Sequence, residues 1–337
     1  VKILIKAQPL TYDTVKGHTA KHISWYWNFL HYNIWTKQGH DVKFLVSRGR
    51  ELEFAYSKYN CTSEYQDTDM IFFRGFNSFR PDEEWVKEIV LNTKAKTVMY
   101  LECNCDDSII SEFDHLIVAE CEQYKTHFEN RFPKLDVRLM PWTSVDFDLI
   151  DSNLKNPYKD DKIKIVYSGI VINRYLKSLT SLAELGQQVV IGGTYYDGVK
   201  PCRDMTAGEI HDLHPNITLM NPGCAYPFGE QFPYLLHGHI GVTFHPVATK
   251  TGALRAKLAE YMCCGMRNVI EITTPNDANM LKVKCGSTFE YGNENLLLDS
   301  VELEKSKWSP EERERIKKES REIHNPETIC KQITEMI

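Results

Sequence analysis

The chain has 337 residues and a mass of 39.1 kDa, more than one hydrophobic core usually serves and suited to two domains. Apolar residues at 42% and charged residues at 26% exclude a largely disordered chain, and 18 Gly with 14 Pro exclude a fibrous one. A formal charge of −6, with 18 basic against 22 acidic side chains in residues 1–150, excludes a broad attraction to polyphosphate but leaves room for a local basic patch.

No apolar run approaches the roughly 20 residues of a membrane-spanning helix, and Val1-Lys2-Ile3-Leu4-Ile5-Lys6 reads as a strand, so the expected location is the cytoplasm. The ten cysteines contain no C-x-x-C pair, which points to reduced, mostly buried thiols.

In chain order, short apolar runs predict strands at Lys2–Ala7, Val42–Val46, Met70–Phe73, Thr97–Leu101, Leu116–Ala119 and Val137–Met140. Helices are expected between them. Lys21–Lys37 carries apolar residues three or four apart, and Asp82–Leu91 and Glu120–Phe128 follow the same pattern. Ser144–Lys162 turns polar and reads as a linker, with Asp146-Phe147-Asp148 as a solvated turn within it. Strands then resume at Ile163–Tyr167, Val189–Ile191, Ile217–Leu219, Ile240–Phe244 and Asn268–Ile272. The accompanying helices are expected at Leu176–Leu185, Ala207–Leu213, Gln231–His237, Leu254–Cys263, Asn276–Val283, Pro310–Ile323 and Pro326–Met336. This alternation predicts an α/β protein of two doubly wound, parallel-sheet domains, with ligands at the carboxyl ends of the strands and in a cleft between the domains. The expected boundaries are 1–150, 163–310 and, for terminal helices crossing back to the first domain, 311–337.

The most informative stretch is His239–Ile272. A strand ending at His245-Pro246 is followed by a helix on which Lys257 and Glu260 lie three apart on one face. A lysine there can neutralise a diphosphate, and a carboxylate can accept both hydroxyls of a ribose. On spacing alone, a solvated Lys/Glu pair on a helix surface is the more ordinary reading. After the first strand of the second domain, Gly169 lets backbone approach a phosphate, and Arg174 and Lys177 fall near the next helix start, where anions are favoured. Gly192-Gly193 and Asn221-Pro222-Gly223 end later strands and offer main-chain contacts to a base.

Lys257-x-x-Glu260-Tyr261-Met262 followed by Cys263-Cys264-Gly265 and an apolar strand resembles the nucleotide-sugar motif of GT-B glycosyltransferases. Gly39-His40-Asp41-Val42 and the Tyr167-Ser168-Gly169 turn are similar to other GT-B features, in the same order along the whole chain. The resemblance implies a GT-B fold and a nucleotide-sugar donor, with UDP as the default. It implies donor contacts from Gly169, Arg174, Lys177, Gly193, Gly223, His245, Lys257 and Glu260. Many retaining members carry a second Glu eight positions before the ribose carboxylate. Here that position is Gly252, so the stereochemical outcome stays open.

On the acceptor side, a group must take the proton of the attacking hydroxyl. The candidates are Asp106 and Glu102, after the fourth strand, and His18 and His22, near the exit of the first. Helix capping is the structural alternative for Asp106. His18-x-x-x-His22 lacks the Glu of a zincin, so no metal site is assigned and no divalent ion is obligatory, although one is compatible. The layout resembles the phage DNA glucosyltransferases that modify hydroxymethylcytosine, through Tyr100-Leu101…Asp106 and Phe76-Asn77-Ser78-Phe79-Arg80-Pro81. Arg74, Phe76, Phe79, Arg80 and Lys21 then mix cations with aromatics as a surface gripping DNA would. The leading expectation is transfer of a sugar to a hydroxymethylated pyrimidine in DNA, in a phage-infected host's cytoplasm if the gene is a phage's. A cell-surface or capsular saccharide is the alternative acceptor, and a nucleotide-sugar epimerase of the same fold or an inactive binding module are the alternatives in class. Oligomeric state is not legible.

Overall fold

Apolar runs bounded by turns form strands buried on both faces when the connections between them are helices, because each crossover lays a helix on the sheet. The computed structural model describes residues 1–6, 23–46, 59–74, 83–101, 107–119, 122–141, 145–152, 155–169, 171–192, 195–196, 214–220, 231–244, 256–272 and 283–337. They divide into one unit of Val1–Ser144 with Asn325–Ile337, and a second of Val145–His324.

The first unit comprises β1 (Lys2–Lys6), α1 (Ile23–Lys37), β2 (Asp41–Leu45), β3 (Cys61–Thr62), β4 (Met70–Arg74), α2 (Glu83–Asn92) and β5 (Lys96–Leu101). It continues through α3 (Asp107–Ile110), β6 (His115–Ala119), α4 (Glu122–Arg131) and β7 (Asp136–Met140). The sheet is parallel in the order β3-β2-β1-β4-β5-β6-β7, so its strand order reverses between β1 and β4. All five residues of β4 are buried, as a central parallel strand requires. On α1, Tyr32 stacks on Phe44 at 5.0 Å and Phe29 stacks on Tyr59 at 4.5 Å. The closing helix Pro326–Thr334, capped by the Asn325 side chain, packs on α1: buried Trp35 donates Nε1–H to the Cys330 carbonyl at 3.0 Å, and Lys37 pairs with Glu327.

The second unit opens with α5 (Phe147–Asp151), β8 (Lys164–Ser168), β9 (Val171–Ile172), α6 (Asn173–Glu184), β10 (Gln188–Gly192), β11 (Tyr195–Tyr196) and β12 (Ile217–Leu219). Then follow α7 (Phe232–His237), β13 (Ile240–Thr243), α8 (Ala256–Cys263), β14 (Arg267–Ile272), β15 (Gly286–Glu290), α9 (Glu294–Lys307) and α10 (Pro310–Ile323). Its main sheet is parallel in the order β12-β10-β8-β13-β14-β15, with β9 and β11 paired separately. Among the described residues no helix is long and apolar enough to cross a membrane.

Several expectations need correction. The linker is not a polar coil throughout. Asp146 caps α5 by accepting the Leu149 N–H at 2.9 Å, and Arg321 grips Asp151 through two bonds of 2.7 Å. Asp146-x-Asp148 is therefore a helix start rather than a solvated turn. The divisions fall at Ser144 and His324 instead of 150 and 311. Helix α10, expected with the first domain, packs in the second unit, because buried Arg267 of β14 bonds both Glu304 of α9 and Glu312 of α10. Helix α9 and strand β15 were not anticipated. The expected helices Ala207–Leu213 and, Val283 apart, Asn276–Val283 lie outside the described residues.

Candidate functional site

Helix α8 is seated by Tyr261. Its ring lies against the backbone of Gly241 in β13, where a Cβ would stand 2.3 Å from the ring, and its hydroxyl accepts the Ser168 N–H of β8 at 2.6 Å. With the helix fixed there, Lys257 reaches the exit of β8. Its ammonium lies over the Tyr167 ring, 4.4 Å from the centroid, and donates to the Tyr167 hydroxyl at 3.2 Å. It also rests on Gly169, whose φ is +138° and whose N–H bonds the Gly192 carbonyl at 2.8 Å. A Cβ built on Gly169 would stand 2.5 Å from Lys257 Nζ, so only glycine suits both the backbone and the contact.

Glu260, one turn along from Lys257, is 2% exposed, and its Oε1 has no hydrogen-bond partner among the described residues. Burial pushes its carboxyl up to about 8, against the opposing pull of Lys257. A solvated surface pair would show neither feature. The two residues are a half-buried cation on a strand exit and a buried acid with one oxygen unpartnered among the described residues.

Arg174 lies in the first turn of α6 and crosses toward the far strands. Its two terminal nitrogens donate to the Glu271 carboxylate of β14 at 2.5 and 2.9 Å, and the Gly292 N–H adds a contact of 3.3 Å to the same Oε1. The guanidinium lies 4.7 Å from the Tyr175 ring, 4.6 Å from Tyr291 and 5.9 Å from Phe244. Burial works against its charge, but the bonds and field of Glu271 outweigh that and hold its pKa above the ordinary value. Lys177 stands exposed on the same helix.

The structure thus brings Gly169 and Lys257 together at one end of β8, with Glu260 one helical turn along from Lys257 and Arg174 in the first turn of the helix that follows. Gly193, Gly223, His245, Glu102, Asp106, His18, His22, Lys21, Phe76, Phe79 and Arg80 lie outside the described residues. Arg74 requires a correction. It is 1% exposed, with its guanidinium 2.8 Å from His31 Nδ1 and over the Tyr100 ring, so it is a buried cation and not an exposed grip. The sequence reading missed Tyr261 as the seat of the helix and Glu271 as the partner of Arg174. A carboxylate within the apolar run Asn268–Ile272 was the available signal, since buried acids need partners.

No family model and no curated protein sequence matches this chain. Solved structures do. The chain is similar to the Anabaena protein HepE in complex with UDP, at 11% identity and a TM-score of 0.68, over 100% of this chain and 99% of that one. It is similar to the UDP-GlcNAc 2-epimerase of Neisseria meningitidis bound to UDP-GlcNAc, at 13% identity and 0.58, over 99% of each. It is also similar to a DNA-modifying β-glucosyltransferase, solved with and without its substrate uridine diphosphoglucose, at 11% and 0.55, over 98% of this chain and 99% of that one. At such identities the likeness is one of fold, and that fold is GT-B, built on two Rossmann-like parallel sheets.

Proposed function

We propose that this chain is a glycosyltransferase that moves a sugar from a UDP-sugar to a hydroxyl acceptor. One observation carries the reading: the Lys257 ammonium rests on the Gly169 turn at the exit of β8, with the buried carboxyl of Glu260, whose Oε1 has no partner among the described residues, one turn away. A cation beside exposed backbone suits a diphosphate, and a buried acid with spare hydrogen-bonding capacity suits a diol. The fold likenesses to HepE in complex with UDP and to a glucosyltransferase of uridine diphosphoglucose support UDP as the carrier.

In this reading the bond between the anomeric carbon and the diphosphate oxygen breaks with its electron pair leaving on UDP. Lys257 and Arg174 stabilise that departing charge, with Lys177 nearby and Gly169 fixing Lys257. Glu260 hydrogen-bonds the ribose hydroxyls, while Gly193, Gly223 and His245 complete the donor side. The acceptor hydroxyl forms the new bond to the anomeric carbon and gives its proton to Asp106, with Glu102 and His18 as the other candidates. No divalent ion is obligatory.

The favoured acceptor is a hydroxymethylated pyrimidine in DNA, supported by the likeness to the DNA-modifying glucosyltransferase and by the Phe76–Pro81 pattern. The test is incubation with a panel of UDP-sugars and hydroxymethylated DNA, read by nucleoside mass spectrometry. A hexose mass on the modified base is expected. Transfer to capsular saccharide with blank DNA would move the acceptor and keep the transferase. The likeness to the 2-epimerase favours a second reading, in which UDP-GlcNAc is epimerised with no acceptor present; an NMR time course on donor alone decides it. No UDP release and no epimer with any donor refutes both.

A further inference from the structure

Glu271 lies in β14 at 2% exposure, in a strand otherwise made of Arg267, Asn268, Val269, Ile270 and Ile272. A buried ion pair contributes little net stability compared with apolar residues of the same shape, so stability alone is a weak account of a carboxylate there. Geometry is a better one. Two parallel bonds from Arg174 to one carboxylate fix the plane of the guanidinium as well as its position. The Gly292 N–H holds the carboxylate, and Tyr175 and Tyr291 lie against the guanidinium. Arg174 nevertheless keeps 26% of its side chain exposed.

The clamped group shares a floor with Lys257. Lys257 stands over Tyr167, the Tyr167 and Phe244 rings are 5.6 Å apart, and Arg174 approaches Phe244. Two cations thus stand along one aromatic row, at the ends of β8 and β13, on the side where the donor reading puts the diphosphate. We propose that Glu271 is a positioning residue that holds the Arg174 guanidinium at the orientation the donor's diphosphate requires, an inference that rests on the donor reading above. Glu271 touches no substrate in this scheme. It acts through Arg174.

The experiment is calorimetric binding of UDP and of uridine to wild type, Glu271→Gln, Arg174→Gln, Arg174→Lys and the double Glu271→Gln/Arg174→Gln variant, each checked for a cooperative thermal transition. Glu271→Gln is expected to weaken UDP about tenfold, the worth of one charged hydrogen bond, while uridine stays within about twofold. The double variant is expected to bind UDP no more weakly than Arg174→Gln alone. Arg174→Lys, which keeps the charge but loses the fork, is expected to lose affinity as Glu271→Gln does, and it tests the geometry if Glu271→Gln does not fold. Unchanged UDP affinity in Glu271→Gln overturns the inference, as does equal loss of UDP and uridine. Tighter UDP binding also overturns it, since Glu271 would then act only as an opposing charge. Failure of wild type to bind UDP removes the donor reading itself, a distinct outcome.

Discussion

Replacing Gly169 by alanine perturbs the point where backbone conformation and cation meet. The first effect is on folding. A φ of +138° belongs to a region that is essentially glycine's, so a side chain there costs about 1–3 kcal/mol. The second is on Lys257. The new Cβ would stand 2.5 Å from Nζ and 3.0 Å from Cε, well inside contact distance, and the flexible end of the lysine is what gives way. Displacing one charged hydrogen-bond donor from a diphosphate forfeits about 1.5–3 kcal/mol, or about 10- to 150-fold in the Kd for UDP. The assays are urea denaturation for the first effect and calorimetry with UDP and uridine for the second. Lys257→Met alone is expected to lose UDP affinity without the folding penalty. Adding Gly169→Ala to it is expected to restore the penalty and remove no further affinity. A Gly169→Ala protein that is less stable yet binds UDP like wild type would refute the placement of Lys257 on the diphosphate.

Other consequences follow from buried charge. Because the native Glu260 carboxyl is raised from 4.5 to about 8, the folded state keeps a proton that the unfolded state releases between those values. Stability contributed by this group is therefore full below about pH 4.5 and declines with rising pH, by up to about 1.4 kcal/mol per unit, until about pH 8. Glu260→Gln is expected to flatten that decline in denaturation curves across the range, and an unchanged slope would contradict it. His239 runs the other way. Burial, then Arg313, lowers it from 6.5 to about 4, and its Nδ1 accepts the Lys164 N–H at 3.1 Å. Its contribution is present above about pH 6.5 and lost toward pH 4, so His239→Gln is expected to be less acid-sensitive in thermal melts, and an identical acid limb would count against this. Glu304→Ala leaves buried Arg267 with one of its two carboxylates and is expected to cost about 3–5 kcal/mol in urea unfolding, whereas the double change of Arg267 and Glu304 to methionine is expected to recover most of it. A loss below about 1 kcal/mol for Glu304→Ala would refute a buried network.

Local patterning alone determined the succession of strands and helices, because strands buried on both faces must be unbroken apolar runs such as Met70–Phe73 and Ile240–Phe244, and helices must repeat every three to four residues. It also set Lys257 and Glu260 on one helical face, since three residues make most of a turn. It missed β15, an edge strand with Phe289 as its one fully buried residue, and α9, where Leu296 and Leu303 are exposed beside buried Leu297 and Val301, so no single apolar face stands out. Only the tertiary structure decided the charges. Arg174 meets Glu271 97 positions away, His31 meets Arg74 43 positions away, and Arg267 draws Glu304 and Glu312 together so that α10 stays with the second unit. Periodicity reports which residues leave water, but the partner of a buried charge depends on which strands the chain path sets side by side, and that is a property of the whole sheet.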